Sequence, residues 1–319
     1  MNFASDNAAG IAPDILTAIA GANAGAALAY GRDGWTERVE RRLAELFEHE
    51  VAVFLVSTGT AANALALAHL APPWGAVLCH EQAHIATDEC GAPEFYGGGI
   101  KLIGLAGEAG KIAPAALQHA LASRSWGGPH HVRPAVLSLS QATEAGTIYR
   151  PHEIRQLSDI AHAHGLAVHV DGARIGNALA RMNVSLAEIT WKAGVDVLSF
   201  GATKGGAMGA EAVIFFDPAR GKHMQDRRKR GGALASKHRF IAAGLSPLWP
   251  VEANEVFVVM PPQIDARLKT AGASYYPWAM PAPADGTVPA RDGTPVRLVT
   301  SFATTADEVE RFTEIVLAR

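Results

Sequence analysis

From about residue 35 the apolar residues alternate between two spacings. WTERVERRLAELFEHE (35–50) repeats them every three or four positions, the period of a helix with one buried face. VAVFLV (51–56) is a short β-branched run that predicts a strand, and GTAANALALAHL after it predicts a helix. AVLCH, KLIGL, PAVLSLS, LAVHVD, VDVLSF and EAVIFF repeat the strand signal. PAALQHALAS, HEIRQLSDIAHAHG and ARIGNALARM supply helices between them. Such alternation predicts an α/β fold, a mostly parallel sheet with helices on both faces, whose ligands sit beyond the carboxyl ends of the strands.

After Lys237 the pattern changes. VEANEVFVVM, Pro295–Ser301 and the terminal helix ADEVERFTEIVLA predict a small α+β domain, and a brief helix could begin within Gln263–Tyr276. The expected organisation is an N-terminal arm over 1–14, a large domain over 15–240 and a small C-terminal domain over 241–319.

Composition narrows the class. With 319 residues, 49% hydrophobic and 18% charged, the chain is long enough for one large domain and a smaller one. A net charge of -3, with no basic block beyond Arg227–Arg230, excludes a nucleic-acid partner as an expectation. No stretch reaches the roughly 20 apolar residues of a membrane helix, and MNFASDNAAG does not read as a secretory signal. Two cysteines, Cys79 and Cys90, do not make a disulfide framework, so a reducing, cytoplasmic setting is expected.

Three places carry candidate chemistry. Ser57-Thr58-Gly59-Thr60 follows a strand and opens a helix, where free N–H groups and the helix dipole suit a phosphate. Neither a P-loop lysine nor a dinucleotide glycine pattern accompanies it. Asp171 ends an apolar strand, where a carboxylate needs a cation unless it simply caps the next helix. Lys204 lies in SFGATKGGAMGAE, crowded by Gly201, Ala202, Gly205 and Gly206; a lysine enclosed there could form an imine, whereas alone it reads as a surface lysine. Together they match what pyridoxal phosphate requires: a phosphate turn, a carboxylate for the pyridine nitrogen, and an amine for the aldehyde. His162 and His164 read as a polar helix end, and His130-His131 as a loop. His80 and His84 have metal-like spacing but no evident third ligand, so no metal is expected.

At this point the chain resembles the threonine aldolases, of the β-eliminating lyase group of fold-type-I pyridoxal-phosphate enzymes, and within them the low-specificity or phenylserine aldolases. The matching segments are SDN, AYGRD, VFLVSTGTAANALAL, EQAHI, HVDGARIGNAL, SFGATKGG, PVEANEVFV and VRLVTSF, spread over nearly the whole chain. The resemblance implies Lys204 as the imine lysine, Asp171 as partner of the pyridine nitrogen, and Gly59 and Thr60 in the phosphate turn. His84 would stack on the cofactor ring beside the substrate hydroxyl. Ser5, Arg174 and Arg297 would contact the substrate carboxylate or the cofactor's polar edge. Tyr30 would cross a subunit interface, which implies a homodimer or homotetramer with sites at the dimer interface.

Two departures from that family change the picture. Where many members carry Asn-Thr-His-Asn, this chain reads Gln141-Ala142-Thr143-Glu144. A second histidine beside the substrate hydroxyl is replaced by Thr143 or Glu144, so threo and erythro substrates should be poorly discriminated and bulky aldehydes accepted. RFIAAGLSPLWP is also shorter than the family's long helix and connection, which is either a real deletion or an unrecorded segment near 243–244, the second being favoured. The implied reaction is cleavage of a β-hydroxy-α-amino acid at Cα–Cβ to glycine and an aldehyde, with His84 or Glu144 taking the hydroxyl proton. β-Elimination or racemisation on the same cofactor, and a non-catalytic regulatory role, stay open.

Overall fold

The computed structural model of the chain describes residues 1–123, 125–244, 255–277, 293–301 and 303–317. They divide into a large unit, residues 11–253, and a small unit that joins residues 1–10 to 254–319.

A seven-stranded sheet carries the large unit. Its strands in chain order are β1 (Ala52–Val56), β2 (Gly75–His80), β3 (Lys101–Leu105), β4 (Arg133–Ser140), β5 (Ala167–Gly172), β6 (Val197–Gly201) and β7 (Glu211–Phe215). Across the sheet they lie in the order β1-β7-β6-β5-β4-β2-β3. From β3 to β6 all neighbours are parallel, whereas β7 is antiparallel to both β6 and β1. Connection length explains the exception. A parallel crossover needs about a dozen residues or more, and residues 202–210 are too few. The chain therefore turns straight back after β6, and the lysine loop is that turn.

The sequence pattern follows from burial. β2 and β7 are buried along their whole length, as expected of continuous apolar runs covered on both faces. The helix Gly59–Leu70 buries Ala62 through Ala68 without a break and packs against β1, β4, β5, β6 and β7. A helix apolar all round belongs inside, and Asn63 is the polar residue within that buried run. By contrast the helix Gly34–Phe47 buries only one stripe, including Leu43 and Phe47. Asp33 caps its start by accepting from Trp35 N and Thr36 N at 3.1 and 3.0 Å.

The small unit holds a second, antiparallel sheet of β8 (Glu255–Met260), β9 (Tyr276–Pro277) and β10 (Thr294–Val299), in the order β8-β10-β9. Helices Pro262–Thr270 and Ala306–Leu317 belong to it. The expected arm over 1–14 does not stand apart. Phe3 donates its N–H to Ser274 O at 2.8 Å and packs edge-on against Phe312, so residues 1–10 are part of this unit's core. The proposed gap near 243–244 sits at the end of the helix Arg239–Gly244, and residues 245–254 lie outside the described residues. Among the described residues no helix is long and apolar enough to cross a membrane.

Candidate active site

The carboxyl ends of β4, β5 and β6 fall at one edge of the sheet, where Ser140 pairs with Asp171 and Asp171 with Ser199. β6 then runs into a single 3-10 turn, Thr203–Gly205, which carries Lys204. Two glycines allow the strand ends to approach. A Cβ on Gly201 would sit 2.6 Å from the Ala173 backbone, and one on Gly172 2.8 Å from Leu198 and 2.9 Å from the Ser199 carbonyl. Gly206 closes the turn at a φ of +102°, open to glycine at no steric penalty. Thr203 pins the loop from both sides: its Oγ1 accepts from Ala210 N at 3.1 Å, and its N–H donates to Glu211 Oε1 at 3.3 Å. Burial pushes the Glu211 carboxyl up to about 7, helped by the negative charge of Asp171 and opposed by Lys204.

Asp171 is 8% exposed, and both its oxygens are held. Oδ2 accepts from Asn63 Nδ2 at 2.8 Å and Oδ1 from Ala173 N at 3.0 Å. Beneath it on the same face of β5, His169 spans Ser138 on β4 and Ser199 on β6, 2.9 Å from each hydroxyl. Full burial holds that imidazole well below its ordinary range, hence neutral. Three strands are thus stitched together directly under the carboxylate.

His84 lies against the same group. Its Nδ1 is 2.9 Å from Glu89 Oε1, and that oxygen also accepts from Asn63 Nδ2 at 2.8 Å. Its backbone N–H donates to Glu144 Oε1 at 2.9 Å, an oxygen that also accepts from Ser140 Oγ at 2.7 Å. The Glu89 hydrogen bond, joined by the charge of Asp171, raises the His84 imidazole against its burial and Lys204. Burial raises the carboxyls of Glu89 and Glu144 as well. His84 and Glu211 each feel both Asp171 and Lys204, so histidine, lysine and strand-end carboxylate share one electrostatic neighbourhood.

The turn at Ser57-Thr58-Gly59-Thr60 opens the buried helix. Thr58 is its cap, accepting from Ala61 N at 3.1 Å, and the space around Gly59 is open to 4 Å. The first-turn N–H groups have no partner inside the helix, which suits an anion.

The other sequence candidates scatter. Arg174 sits just before the helix Ile175–Met182, two residues beyond the end of β5. Tyr30 is 42% exposed, at a left-handed φ of 61°, with Lys229 over its ring. Ser5 and Arg297 belong to the small unit, where Ser5 Oγ accepts from Asn7 N and Arg297 lies on β10 between Phe257 and Tyr276. Thr143 was expected in the place of a second histidine beside the substrate hydroxyl. It is fully buried, its Oγ1 donating to Ala109 O at 3.2 Å and lying 2.8 Å from Thr147 Oγ1. Both His80 nitrogens are engaged by the chain, with Gly107 O and Gln82 N at 3.2 Å.

Asn63, Glu89, Glu211 and His169 were not singled out from sequence. For Asn63 and His169 a signal existed, a polar residue inside an otherwise apolar helix or strand. Glu89 in TDECG carries no such mark, because only the fold turns that segment inward.

Comparison with known proteins adds the family. The family described as beta-eliminating lyase matches residues 2–276. The chain is 42% identical to the low specificity L-threonine aldolase of Pseudomonas aeruginosa over 307 residues, covering 86% of this chain and 88% of that one. It is 39% identical to the enzyme of the same name from a Pseudomonas species, with the same coverage. The structure of the Leishmania major threonine aldolase superposes with a TM-score of 0.88 at 28% identity, over 99% of this chain and 98% of that one.

Proposed function

This chain belongs to the beta-eliminating lyase family, and from that premise we propose that it is a pyridoxal-phosphate-dependent aldolase, cleaving β-hydroxy-α-amino acids of the threonine and phenylserine type to glycine and an aldehyde. The observation that carries the reading is the convergence of His84, from the short helix after β2, on the buried carboxylate Asp171 at the end of β5 and on Lys204 after β6. The donor set fits the cofactor. The helix start at Thr58–Thr60, with open space before Gly59, suits the phosphate; Asp171, already holding two N–H donors, suits a protonated ring nitrogen; and Lys204 offers an amine. Ser57 and Arg174 flank these groups and would complete the cofactor's polar edge.

When bound, pyridoxal phosphate supplies an electron-accepting ring that makes Cα–Cβ cleavage possible. The chain does the rest. Asp171 would hold a protonated ring nitrogen, and the serine-bridged His169 beneath it ties β4, β5 and β6 together. His84 takes the β-hydroxyl proton; the carboxyl of Glu144, raised by burial and bonded to the His84 backbone, is the alternative acceptor. Lys204 returns a proton to Cα as glycine forms. Ser5 and Arg297 are assigned to the substrate carboxylate by the family resemblance, through charge-assisted hydrogen bonds. The assembly is a homodimer or homotetramer in which Tyr30 crosses the interface.

Product analysis tests the reaction. Purified protein supplied with pyridoxal phosphate and then with threonine or phenylserine should release glycine and the matching aldehyde in equal amounts. An α-keto acid would indicate elimination, inverted amino acid racemisation, and no turnover of any amino acid a regulatory protein; each would overturn the reading.

A further inference from the structure

The contacts around His84 give a role to a residue that no motif marked, and the inference rests on His84 being the base. We propose that Glu89 is a positioning residue for that base. Its carboxylate holds the hydrogen of His84 Nδ1, so Nε2 is the nitrogen that receives the β-hydroxyl proton. Asn63 ties this pair to Asp171, so that base and ring-facing carboxylate are held in one frame.

The hydrogen-bond count supports this assignment. The Asn63 amide has two hydrogens, one on Glu89 Oε1 and one on Asp171 Oδ2, each at 2.8 Å, so both oxygens are acceptors there. With Glu89 ionised, its 2.9 Å contact to His84 needs the hydrogen on Nδ1, and the lone pair of the neutral ring is then at Nε2. The Glu89 side chain is completely buried while the His84 side chain is 42% exposed, so the carboxylate can reach no solvent cation and serves the ring from behind. A buried carboxylate without a partner would be expensive, which argues that this one is retained for what it holds. Burial favours its neutral form, whereas two N–H donors on one oxygen favour the anion, and burial is the larger influence. The charged groups facing His84 are Glu89 from the following turn, Glu144 beyond the end of β4, Asp171 on β5 and Lys204 after β6.

The test is the titration of His84, followed by NMR in the purified protein, with His84→Phe assigning its resonance. Glu89→Gln keeps the shape and removes the charge, and should lower the His84 titration by about one unit or more. The acid limb of kcat should move to lower pH with it, and kcat should fall about tenfold while KM changes little. Glu89→Asp, a shorter carboxylate, should keep the titration above that of Glu89→Gln. An unchanged His84 titration in folded Glu89→Gln, or Glu89→Asp behaving like Glu89→Gln, would overturn the proposal. A shifted titration in a protein that cleaves no threonine would leave the positioning intact and sink the proposed reaction instead.

Discussion

Lys204 is the residue whose loss should be most complete. Lys204→Ala removes the amine that would hold the aldehyde, so visible absorbance from bound cofactor and turnover should vanish together. Borohydride reduction and peptide mapping check the assignment, and a label on Lys192, Lys222 or Lys237 would refute it. Asp171→Asn tests the carboxylate. Its two oxygens accept from Asn63 and Ala173, and an asparagine can keep only one of these bonds while losing the charge. Cofactor should still bind, with kcat down by orders of magnitude; near-normal rates would reduce Asp171 to a helix cap. Thr143 is the place where sequence reasoning and structure part. By itself the Gln-Ala-Thr-Glu run gives no sign that Thr143 turns toward Ala109 while Glu144 turns toward His84. Since Thr143 is buried and bonded to Ala109 O, Thr143→Ala should destabilise the fold by about 1 kcal/mol and leave the threo-to-erythro efficiency ratio unchanged. His84→Phe should reduce the efficiency for both diastereomers far more. Kinetics on both diastereomers with a denaturant melt would decide it.

The elements were more legible than their junctions. Strand after strand in the alternating pattern appears within a residue or two of its expected position, because a run such as VDVLSF has no other way to bury both faces. The direction of β7 was not legible, since apolar patterning is the same for either orientation and only loop length decides it. Short helices such as Ala92–Tyr96 were also invisible, being too short for a period to show. The crossing of β6 with the segment after β5 depends on one missing side chain. Gly201→Ala would drive a Cβ to 2.6 Å from the Ala173 backbone, which cannot rotate away as a side chain could. The strand ends must part, at about 1–3 kcal/mol, and Lys204 and Asp171 move with them. A lowered unfolding midpoint together with weaker cofactor binding is the expected result; a variant that melts normally would show that the strands have room.

For the whole molecule, the notable electrostatic fact is how many acids are buried close to Asp171. Burial raises Glu89, Glu144 and Glu211, and Glu211 reaches about 7. Between the ordinary carboxyl value near 4.5 and about 7, the unfolded chain releases the Glu211 proton while the folded chain keeps it. The folded state then binds more protons, so stability falls as pH rises through that window and stays lower above it. Cofactor-free protein should therefore melt at a lower temperature at pH 8 than at pH 5.5. Glu211→Gln should recover at most about 2 kcal/mol of the difference. Thermal melts across that range are the check, and an equally steep decline in Glu211→Gln would place its cause elsewhere. The division into units was legible only in part. A change of pattern after Lys237 announced the small unit, but nothing in MNFASDNAAG shows that Phe3 is claimed by Phe312 at the other end of the chain.

The antiparallel seat of β7 has a consequence for synthesis. Val56 on β1 pairs with Glu211, and among the described residues β1 has no other neighbour in the sheet. As the chain leaves the ribosome, β1 must wait for nearly all of the large unit before it finds its strand partner. Until then AVFLV is an apolar ribbon with a bare edge, the kind of segment that draws chaperones or sticks to its neighbours. Nascent chains halted before residue 211 should thus be held by chaperones, and release should coincide with the emergence of β7, directly after the turn that carries Lys204.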